Sequence, residues 1–268
     1  MKLEGCNALI TGASAGLGRE FARQLSGRAR SLILLARRDE RLIELAEELH
    51  GEQPNLRIYV RKVDLSDLAQ LQDLLEWVER EALNIDVLIN NAGLGDSGLF
   101  ARSDSARSNQ MTLVNVTALT LLTRHLLPRM IARGRGGVLN VSSSAGFLPI
   151  PGSAVYAATK AYVTSFSEAL RAEVRGTGLS VCALCPGPVA TEFQKVASRH
   201  GAQPEIGPAA LVVPAEQVVR DGLAALEADR PMVIPGLPMK LLMFLTRITP
   251  MPVIRLTAQL ALKRRGVV

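Results

Sequence analysis

The chain has 268 residues, of which 48% are hydrophobic and 21% are charged. This is an ordinary composition for a globular protein, and it excludes a low-complexity or disordered chain. Three cysteines are too few for a disulfide framework and indicate a reducing compartment. The first residues lack a signal-peptide pattern, and no uncharged apolar run reaches the roughly 18 residues that span a bilayer. We therefore expect a cytoplasmic protein.

The net charge of +6 comes from the C-terminal tail. Between Pro231 and Val268 there is no acidic residue, and the cations are Lys240, Arg247, Arg255, Lys263, Arg264 and Arg265. These six charges account for the whole excess, so residues 1–230 are close to neutral. Because the tail has Phe244 as its single aromatic residue, it lacks the stacking surfaces of nucleic-acid-binding proteins.

Apolar, strand-like runs alternate with stretches of helical periodicity along the chain. We expect strands at 6–11, 31–36, 57–61, 86–90, 137–141, 179–185 and 232–234. We expect helices at about 16–27, 39–50, 67–83, 104–133, 153–176 and 214–228. Asp39 and Ser66 are the candidate caps of the second and third helices. The pattern predicts an α/β fold in three layers: a doubly wound, Rossmann-type parallel sheet of about seven strands.

Cys182 and Cys185 have the spacing of a redox or zinc motif, but they fall in a predicted strand. Side chains three residues apart on a strand point to opposite faces, so the two thiols should not converge. We interpret both as core residues and expect no metal site.

Glycines follow the first predicted strand, in Thr11-Gly12-Ala13-Ser14-Ala15-Gly16-Leu17-Gly18. Such a turn lets the backbone approach a pyrophosphate at the start of a helix, so it favours nucleotide binding. After the second strand, Ala36 stands where an acidic residue would bind the ribose of NAD, and Arg37 and Arg38 follow it. A guanidinium pairs with a 2′-phosphate, so we expect NADP(H), with NAD(H) as the open alternative.

The sequence Tyr156-Ala157-Ala158-Thr159-Lys160 follows Ser142-Ser143-Ser144. Positions four apart share one face of a helix, so Tyr156 and Lys160 can converge. A nearby ammonium favours the phenolate, which would lower the pKa of the tyrosine and suit it to proton exchange. By itself this spacing is also typical of an ordinary helix face.

Taken together, the motifs resemble the short-chain dehydrogenase/reductase family over about residues 5–235. The matching pieces are TGASAGLG (11–18), VDLS (63–66), NNAG (90–93), Asn115, VSSSAG (141–146), YAATK (156–160) and PGPVAT (186–191). The resemblance implies an oxidoreductase whose catalytic tetrad is Asn115, Ser143, Tyr156 and Lys160. Tyr156 would exchange the proton, Lys160 would lower its pKa and bind the nicotinamide ribose, Ser143 would orient the carbonyl, and Asn115 would hold a relay water.

The resemblance also implies a set of cofactor contacts besides Tyr156 and Lys160. Asp64 would contact adenine, Asn90 the adenosine ribose, and Val189 and Thr191 the carboxamide. The full set is Gly12, Ser14, Gly16, Leu17, Gly18, Arg37, Arg38, Asp64, Leu65, Asn90, Ala92, Gly93, Pro186, Gly187, Val189 and Thr191. Ala15 stands where many NADP-preferring members carry a basic residue, a departure that Arg37 and Arg38 can offset.

We expect one catalytic domain over 1–236, with a flap over the substrate at about 192–213, and a basic amphipathic helical tail at 237–268. The tail either lies on an anionic membrane surface or docks on protein. Apolar surface near the flap favours a hydrophobic ketone or secondary alcohol as the substrate. The alternatives are a 3-oxoacyl thioester (acyl-carrier) reductase and a non-catalytic NADP-binding regulator. The resemblance implies a homodimer or homotetramer.

Overall fold

The computed structural model describes residues 1–197 and 208–264. Its seven strands confirm the predicted alternation, each within one residue of its expected bounds at either end. They are β1 Asn7–Thr11, β2 Ser31–Ala36, β3 Arg57–Lys62, β4 Val87–Asn90, β5 Gly136–Val141, β6 Leu179–Leu184 and β7 Met232–Val233. All pairs are parallel, and the order across the sheet is β3-β2-β1-β4-β5-β6-β7.

Helices lie between and after the strands, and seven of them cover the two faces of this sheet. The helices are α1 Gly16–Ser26, α2 Asp39–Glu52, α3 Leu68–Arg80, α4 Ser105–Thr112, α5 Leu119–Ala132, α6 Ala154–Glu173, α7 Glu192–Ala197, α8 Ala215–Glu227, α9 Leu237–Ile248 and α10 Met251–Arg264. Short 3₁₀ turns lie at Phe100–Arg102, Ser144–Phe147 and Ala209–Leu211.

Two apolar clusters hold the three layers together. Helices α1, α2 and α8 pack on one face, for example through Phe21, Leu45 and Val219. Helices α3, α4, α5 and α6 cover the other face, where Trp77 and Leu122 are buried. Neighbouring strand residues enter opposite clusters, so the strands are apolar throughout, as buried parallel sheets require.

The single helix expected at 104–133 is instead three consecutive segments. A π-helical stretch, Leu113–Ala118, separates α4 from α5. Both cap predictions were wrong. Asp39 is already inside α2, which has no side-chain cap, and α3 is capped by Asp67, whose carboxylate accepts from the N–H groups of Ala69 and Gln70.

Helices α9 and α10 follow the last strand, as the tail prediction requires. Helix α9 is held by Met239 and Met243, both buried. Among the described residues no single helix is long and apolar enough to cross a membrane. The pair formed by α9 and residues 251–260 of α10 passes that test of length and composition together, with a bend of 118° between the two helices. Part of the expected flap, residues 198–207, and the last four residues of the tail lie outside the described residues.

All three cysteines are free and buried. Burial raises the pKa of Cys182 to about 12 and that of Cys185 to about 11, so both thiols stay protonated at neutral pH. The described residues contain no group of three or more His, Cys, Asp or Glu side chains that could hold a metal ion.

Candidate active site

A cleft of about 830 Å³ opens at the carboxyl ends of the strands. It lies where β1 and β4 are neighbours and the strand order reverses, which is the usual ligand position in open α/β sheets. Its lining includes the glycine turn after β1, Arg37 and Arg38 after β2, the loop after β4, the serines after β5 and Tyr156 on α6.

The glycine turn is shaped by two close backbone approaches. Gly12 has φ +68°, a conformation that glycine adopts without strain, and a side chain there would meet the backbone of Ala92. A side chain on Gly18 would overlap the carbonyl of Gly12. Gly18 therefore lets α1 pack against the turn and does not itself line the cleft. Because the residue before α1, Ala15, supplies no side-chain cap, the first N–H groups of this helix are left for another acceptor.

The loop after β4 is fastened to this turn. Thr11 Oγ1 accepts from the N–H groups of Asn91 and Ala92, both at 2.9 Å, and Asn91 Nδ2 donates to the carbonyl of Thr11 at 2.8 Å. Asn91, Ala92 and Gly93 line the cleft.

Asn90 does not reach the cleft, contrary to the expectation from the resemblance. It is the last residue of β4, and its side chain turns to the interior. There Nδ2 donates to Thr123 Oγ1 at 3.0 Å and to Asn140 Oδ1 at 2.8 Å. Asn91, the next residue in the chain, occupies the cleft side instead.

Three arginines gather at the end of the cleft that lies beside the carboxyl end of β2. Arg37 lies 3.9 Å from the carboxylate of Asp64. Arg38 donates to Ser14 Oγ at 3.3 Å, and both Arg38 and Arg41 pair with Glu192, the first residue of α7. These two guanidinium groups lower the pKa of the Glu192 carboxyl below its usual value.

Asp64 is held in a turn by its own neighbours. Its Oδ1 accepts from the N–H and the hydroxyl of Ser66, at 2.9 and 2.7 Å. Asp64 and Leu65 both line the cleft, so the structure brings them beside the arginines.

Tyr156 and Lys160 lie one turn apart on α6, and Ser143 lies at the start of the short turn after β5. All three line the cleft. Lys160 is buried, and its Nζ donates to the carbonyl of Val141 at 2.8 Å. The ring of Tyr156 packs against Phe193 of α7, with 5.7 Å between the ring centroids.

Ser142 is excluded from this group by its contacts. Its buried hydroxyl donates to the carbonyl of Lys160 at 2.9 Å and pairs with Thr164 Oγ1. Ser143 Oγ accepts the backbone N–H of Ala145 at 3.1 Å, and its hydroxyl forms a hydrogen bond with Tyr156.

Burial governs the titration of the site. It lowers the pKa of Lys160 to about 8. Burial also raises the pKa of Tyr156 above its usual value, and a hydrogen bond with Ser143 works in the opposite direction. Lys160 does not lower the pKa of Tyr156 in this structure, contrary to expectation. Its Nζ lies 5.9 Å from the centroid of the phenol ring and donates to the carbonyl of Val141 instead. The phenol is therefore protonated at neutral pH.

Asn115 lies in the π-helical stretch, behind the wall of the cleft. Its Oδ1 accepts from the N–H of Leu94 at 2.8 Å, and its Nδ2 donates to the carbonyl of Leu94 at 2.9 Å and to Thr159 Oγ1 at 3.0 Å. A side chain on Gly93 would approach Lys160 Nζ and Asn115 Oδ1 to 3.4 and 3.5 Å. Lys160 Nζ and Asn115 Oδ1 therefore both face the space beside Gly93.

The loop after β6 closes the other side of the cleft. Its lining residues are Pro186, Gly187, Pro188, Val189 and Thr191. A side chain on Gly16 would meet Thr191, so this loop lies directly above the glycine turn.

The structure thus brings nearly all of the expected residues to one cleft; Gly18, Asn90 and Asn115 stand behind its surface. Sequence reasoning missed Arg41, Asn91 and Phe193. Arg41 had a signal, because it lies one helical turn beyond Arg38. Phe193 had none, because its place depends on how α7 folds over the cleft.

Comparison with known proteins agrees with this architecture. The family model for short chain dehydrogenases matches residues 6–201. Sulfoacetaldehyde reductase 2 of Chromohalobacter salexigens is 39% identical over 190 residues, covering 70% of this chain and 74% of the relative.

Two solved structures are similar over most of the chain. A short-chain dehydrogenase from Sphingobium yanoikuyae in complex with NADPH has a TM-score of 0.79 and 32% identity, covering 87% of this chain and 88% of the other. The bulky-bulky ketone specific alcohol dehydrogenase from Comamonas testosteroni has a TM-score of 0.74 and 32% identity, covering 87% and 86%.

The fold and the cleft are those of a dinucleotide-dependent oxidoreductase acting on CH–OH groups. The chain belongs to the short-chain dehydrogenase family.

Proposed function

We propose that this protein is an NADP(H)-dependent carbonyl reductase or alcohol dehydrogenase whose substrate is an apolar ketone or secondary alcohol. The observation that carries the proposal is the meeting of Tyr156, Ser143 and Lys160 in one cleft with the glycine turn and Arg38. A proton donor and a dinucleotide cradle are thereby within reach of the same substrate.

The cofactor fits the residues at one end of the cleft. The uncapped start of α1 and the turn around Gly12 suit a pyrophosphate, which needs N–H donors and close backbone approach. Arg38, already bound to Ser14 Oγ, suits a 2′-phosphate, and Arg37 stands beside it. The Sphingobium neighbour, which binds NADPH, supports this assignment. NADPH, when bound, would supply the hydride, with NAD(H) as a weaker substitute.

The side chains around the reacting carbonyl have separate roles. Tyr156 donates its phenolic proton to the carbonyl oxygen as negative charge develops there. Its raised pKa keeps that proton in place at neutral pH. Ser143 binds the same oxygen, because its hydroxyl faces that of Tyr156. Lys160, whose Nζ is held at the carbonyl of Val141, would bind the nicotinamide ribose of the cofactor, and Asn115 positions the loop after β4 through Leu94.

The substrate part of the cleft favours apolar molecules. Its lining includes Leu94, Ile150, Phe193 and Val196. Among the described lining residues the cations are Arg37, Arg38 and Lys160, all assigned above to the cofactor or to catalysis. An anionic substrate such as that of the sulfoacetaldehyde reductase would lack a counter-charge among them. The bulky-ketone relative supports the apolar assignment.

Turnover on a panel of carbonyl compounds tests the proposal. We expect loss of NADPH absorbance with bulky apolar ketones, a weaker signal with NADH, and little turnover of short polar or anionic aldehydes. Preference for the polar set would contradict the substrate class, and preference for a 3-oxoacyl thioester would favour the acyl-carrier alternative. NADPH binding without any turnover would favour a non-catalytic regulator. The cytoplasmic location stays a prediction from the cysteine count and the N-terminal sequence, and the homodimer or homotetramer stays one from the resemblance.

A further inference from the structure

Helices α9 and α10, which we call the basic apolar tail, expose an extended apolar surface. Several large side chains on it are exposed, Ile248 at 63% and Phe244 at 60%. Others are Leu241, Val253, Leu256 and Leu260. Apolar side chains exposed singly are ordinary, but a run of them along two consecutive helices is typical of a surface that binds a partner or a membrane.

The tail is attached to the catalytic domain by one side of α9. Met239 and Met243 are buried on that side, and Arg247 lies over the ring of Phe147 at 5.1 Å. The opposite side of α9 is apolar where a surface helix is normally polar. Between residues 251 and 260 of α10, every residue is exposed except Ile254 and Ala258, which are partly buried. Apart from Met239 and Met243, the large apolar side chains of α9 and of residues 251–260 are mostly exposed, and nothing in the described part of the chain covers them.

The charges of the tail indicate what covers it. Lys240, Arg247 and Arg255 are exposed, three more cations follow in the sequence at 263–265, and residues 231–268 include no Asp or Glu. A second copy docked by the same surface would bring two sets of positive charge together, which costs free energy. An anionic lipid surface offers both an apolar layer and the opposite charge.

We propose that the basic apolar tail binds the surface of an anionic lipid bilayer, with its apolar side chains in the acyl boundary and its cations at the lipid phosphates. The tail lies along the surface. At about 1.5 Å per residue, α9 and α10 are roughly 18 and 21 Å long, shorter than a hydrocarbon core of about 30 Å. The bend of 118° between them keeps the pair from acting as one straight span.

The attachment of α9 also sets where the cleft lies relative to the lipid. Met239 touches the position where a side chain on Gly187 would stand, and Gly187 lines the cleft. Membrane binding therefore brings the cleft close to the bilayer surface, where apolar carbonyl compounds concentrate. The membrane proposal itself does not depend on the substrate.

Co-sedimentation of the full-length protein with vesicles tests the proposal. We expect binding to vesicles of phosphatidylglycerol and phosphatidylcholine, weaker binding to phosphatidylcholine alone, and a decrease in high salt. Leu256→Glu and Arg255→Glu should each weaken binding roughly tenfold or more, by removing apolar burial and by reversing a charge.

Matched controls carry the same chemical changes elsewhere on the surface. Ile43 on α2 is 47% exposed and Arg175 after α6 is exposed, so Ile43→Glu and Arg175→Glu should bind vesicles as the wild type does. Unchanged urea unfolding of all four variants would show that the fold is intact.

Three results would overturn the proposal. One is the absence of binding to the anionic vesicles. The second is equal binding to neutral and anionic vesicles. The third is an equal loss of vesicle binding in the tail variants and in the control variants. If the anionic vesicles do not bind and Leu256→Glu converts a dimer to a monomer in sedimentation velocity, the tail is instead a contact between two copies of this chain.

Discussion

Glu192 faces the arginines that would receive a 2′-phosphate. Its carboxylate lies 3.1 Å from Arg38 and 2.8 Å from Arg41, and it begins the helix that also carries Phe193. A phosphate bound by Arg38 would meet this carboxylate as a like charge. We therefore expect Glu192 to weaken the preference for NADP(H) that we propose for these arginines.

Replacing Glu192 should sharpen cofactor discrimination. We expect Glu192→Gln to lower the KM for NADPH roughly two- to fivefold and to leave the KM for NADH unchanged, the range of an exposed ion pair. Arg38→Ala should act in the opposite direction and raise the KM for NADPH roughly tenfold or more. Steady-state kinetics with both cofactors measures this, and Glu216→Gln on α8 is the control. Equal changes for NADPH and NADH in Glu192→Gln would refute the role.

Lys160 is a buried cation, and its burial costs stability. The pKa is 10.5 for the free side chain and about 8 in the folded protein. Below pH 8 the Lys160 side chain is charged in both the folded and the unfolded protein, so the full free-energy cost of burying the charge applies. Between pH 8 and 10.5 the folded state loses its proton first, so the penalty fades, and above 10.5 it is gone.

Lys160→Met should therefore raise the free energy of unfolding at neutral pH. The pKa difference corresponds to about 3 kcal/mol. Loss of the hydrogen bond to Val141 removes about 1 kcal/mol of that gain, which leaves about 2 kcal/mol. Urea unfolding at neutral pH and near pH 10 measures the effect. The gain should shrink as the pH rises; a gain that increases with pH would contradict the burial penalty.

At the scale of elements, the strands were predictable because their sequences obey one physical rule. Both faces of the sheet are covered, so every strand is an apolar run with breaks at its ends. Features that depend on contacts distant in sequence were not predictable. The break between α4 and α5 is one example: the stretch around Asn115 is apolar with helical spacing, and only its contacts with Leu94 and Thr159 mark it as special.

The π-helical stretch should depend on Asn115 for stability. Asn115→Ala leaves the N–H and the carbonyl of Leu94 without partners in a buried position, and we expect a loss of about 2–4 kcal/mol in the free energy of unfolding. Asn109→Ala, at an exposed position of α4, should change it by less than about 0.5 kcal/mol. Urea denaturation compares the two. Equal midpoints would show that the Asn115 contacts do not hold this stretch.

At the scale of the whole molecule, the sequence predicts those parts of the site whose residues all lie in one short stretch of the chain. The glycine turn and the pair Tyr156–Lys160 are of this kind. Other features depend on how separate segments meet. Whether Asn90 or Asn91 enters the cleft depends on which way each turns at the end of β4, and the contact of Phe193 with Tyr156 depends on α7. The raised pKa of Tyr156 likewise reflects burial, which only the folded chain creates.

The central claim is that the phenol of Tyr156 supplies the proton in a reaction at the glycine-turn cleft. Its most direct test is the turnover of Tyr156→Phe, followed by NADPH absorbance with the best ketone substrate. We predict that kcat falls about a hundredfold to ten-thousandfold, the usual contribution of a general acid, while the variant still binds NADPH and its unfolding curve stays unchanged. Wild-type turnover in a folded, NADPH-binding Tyr156→Phe variant would contradict the account.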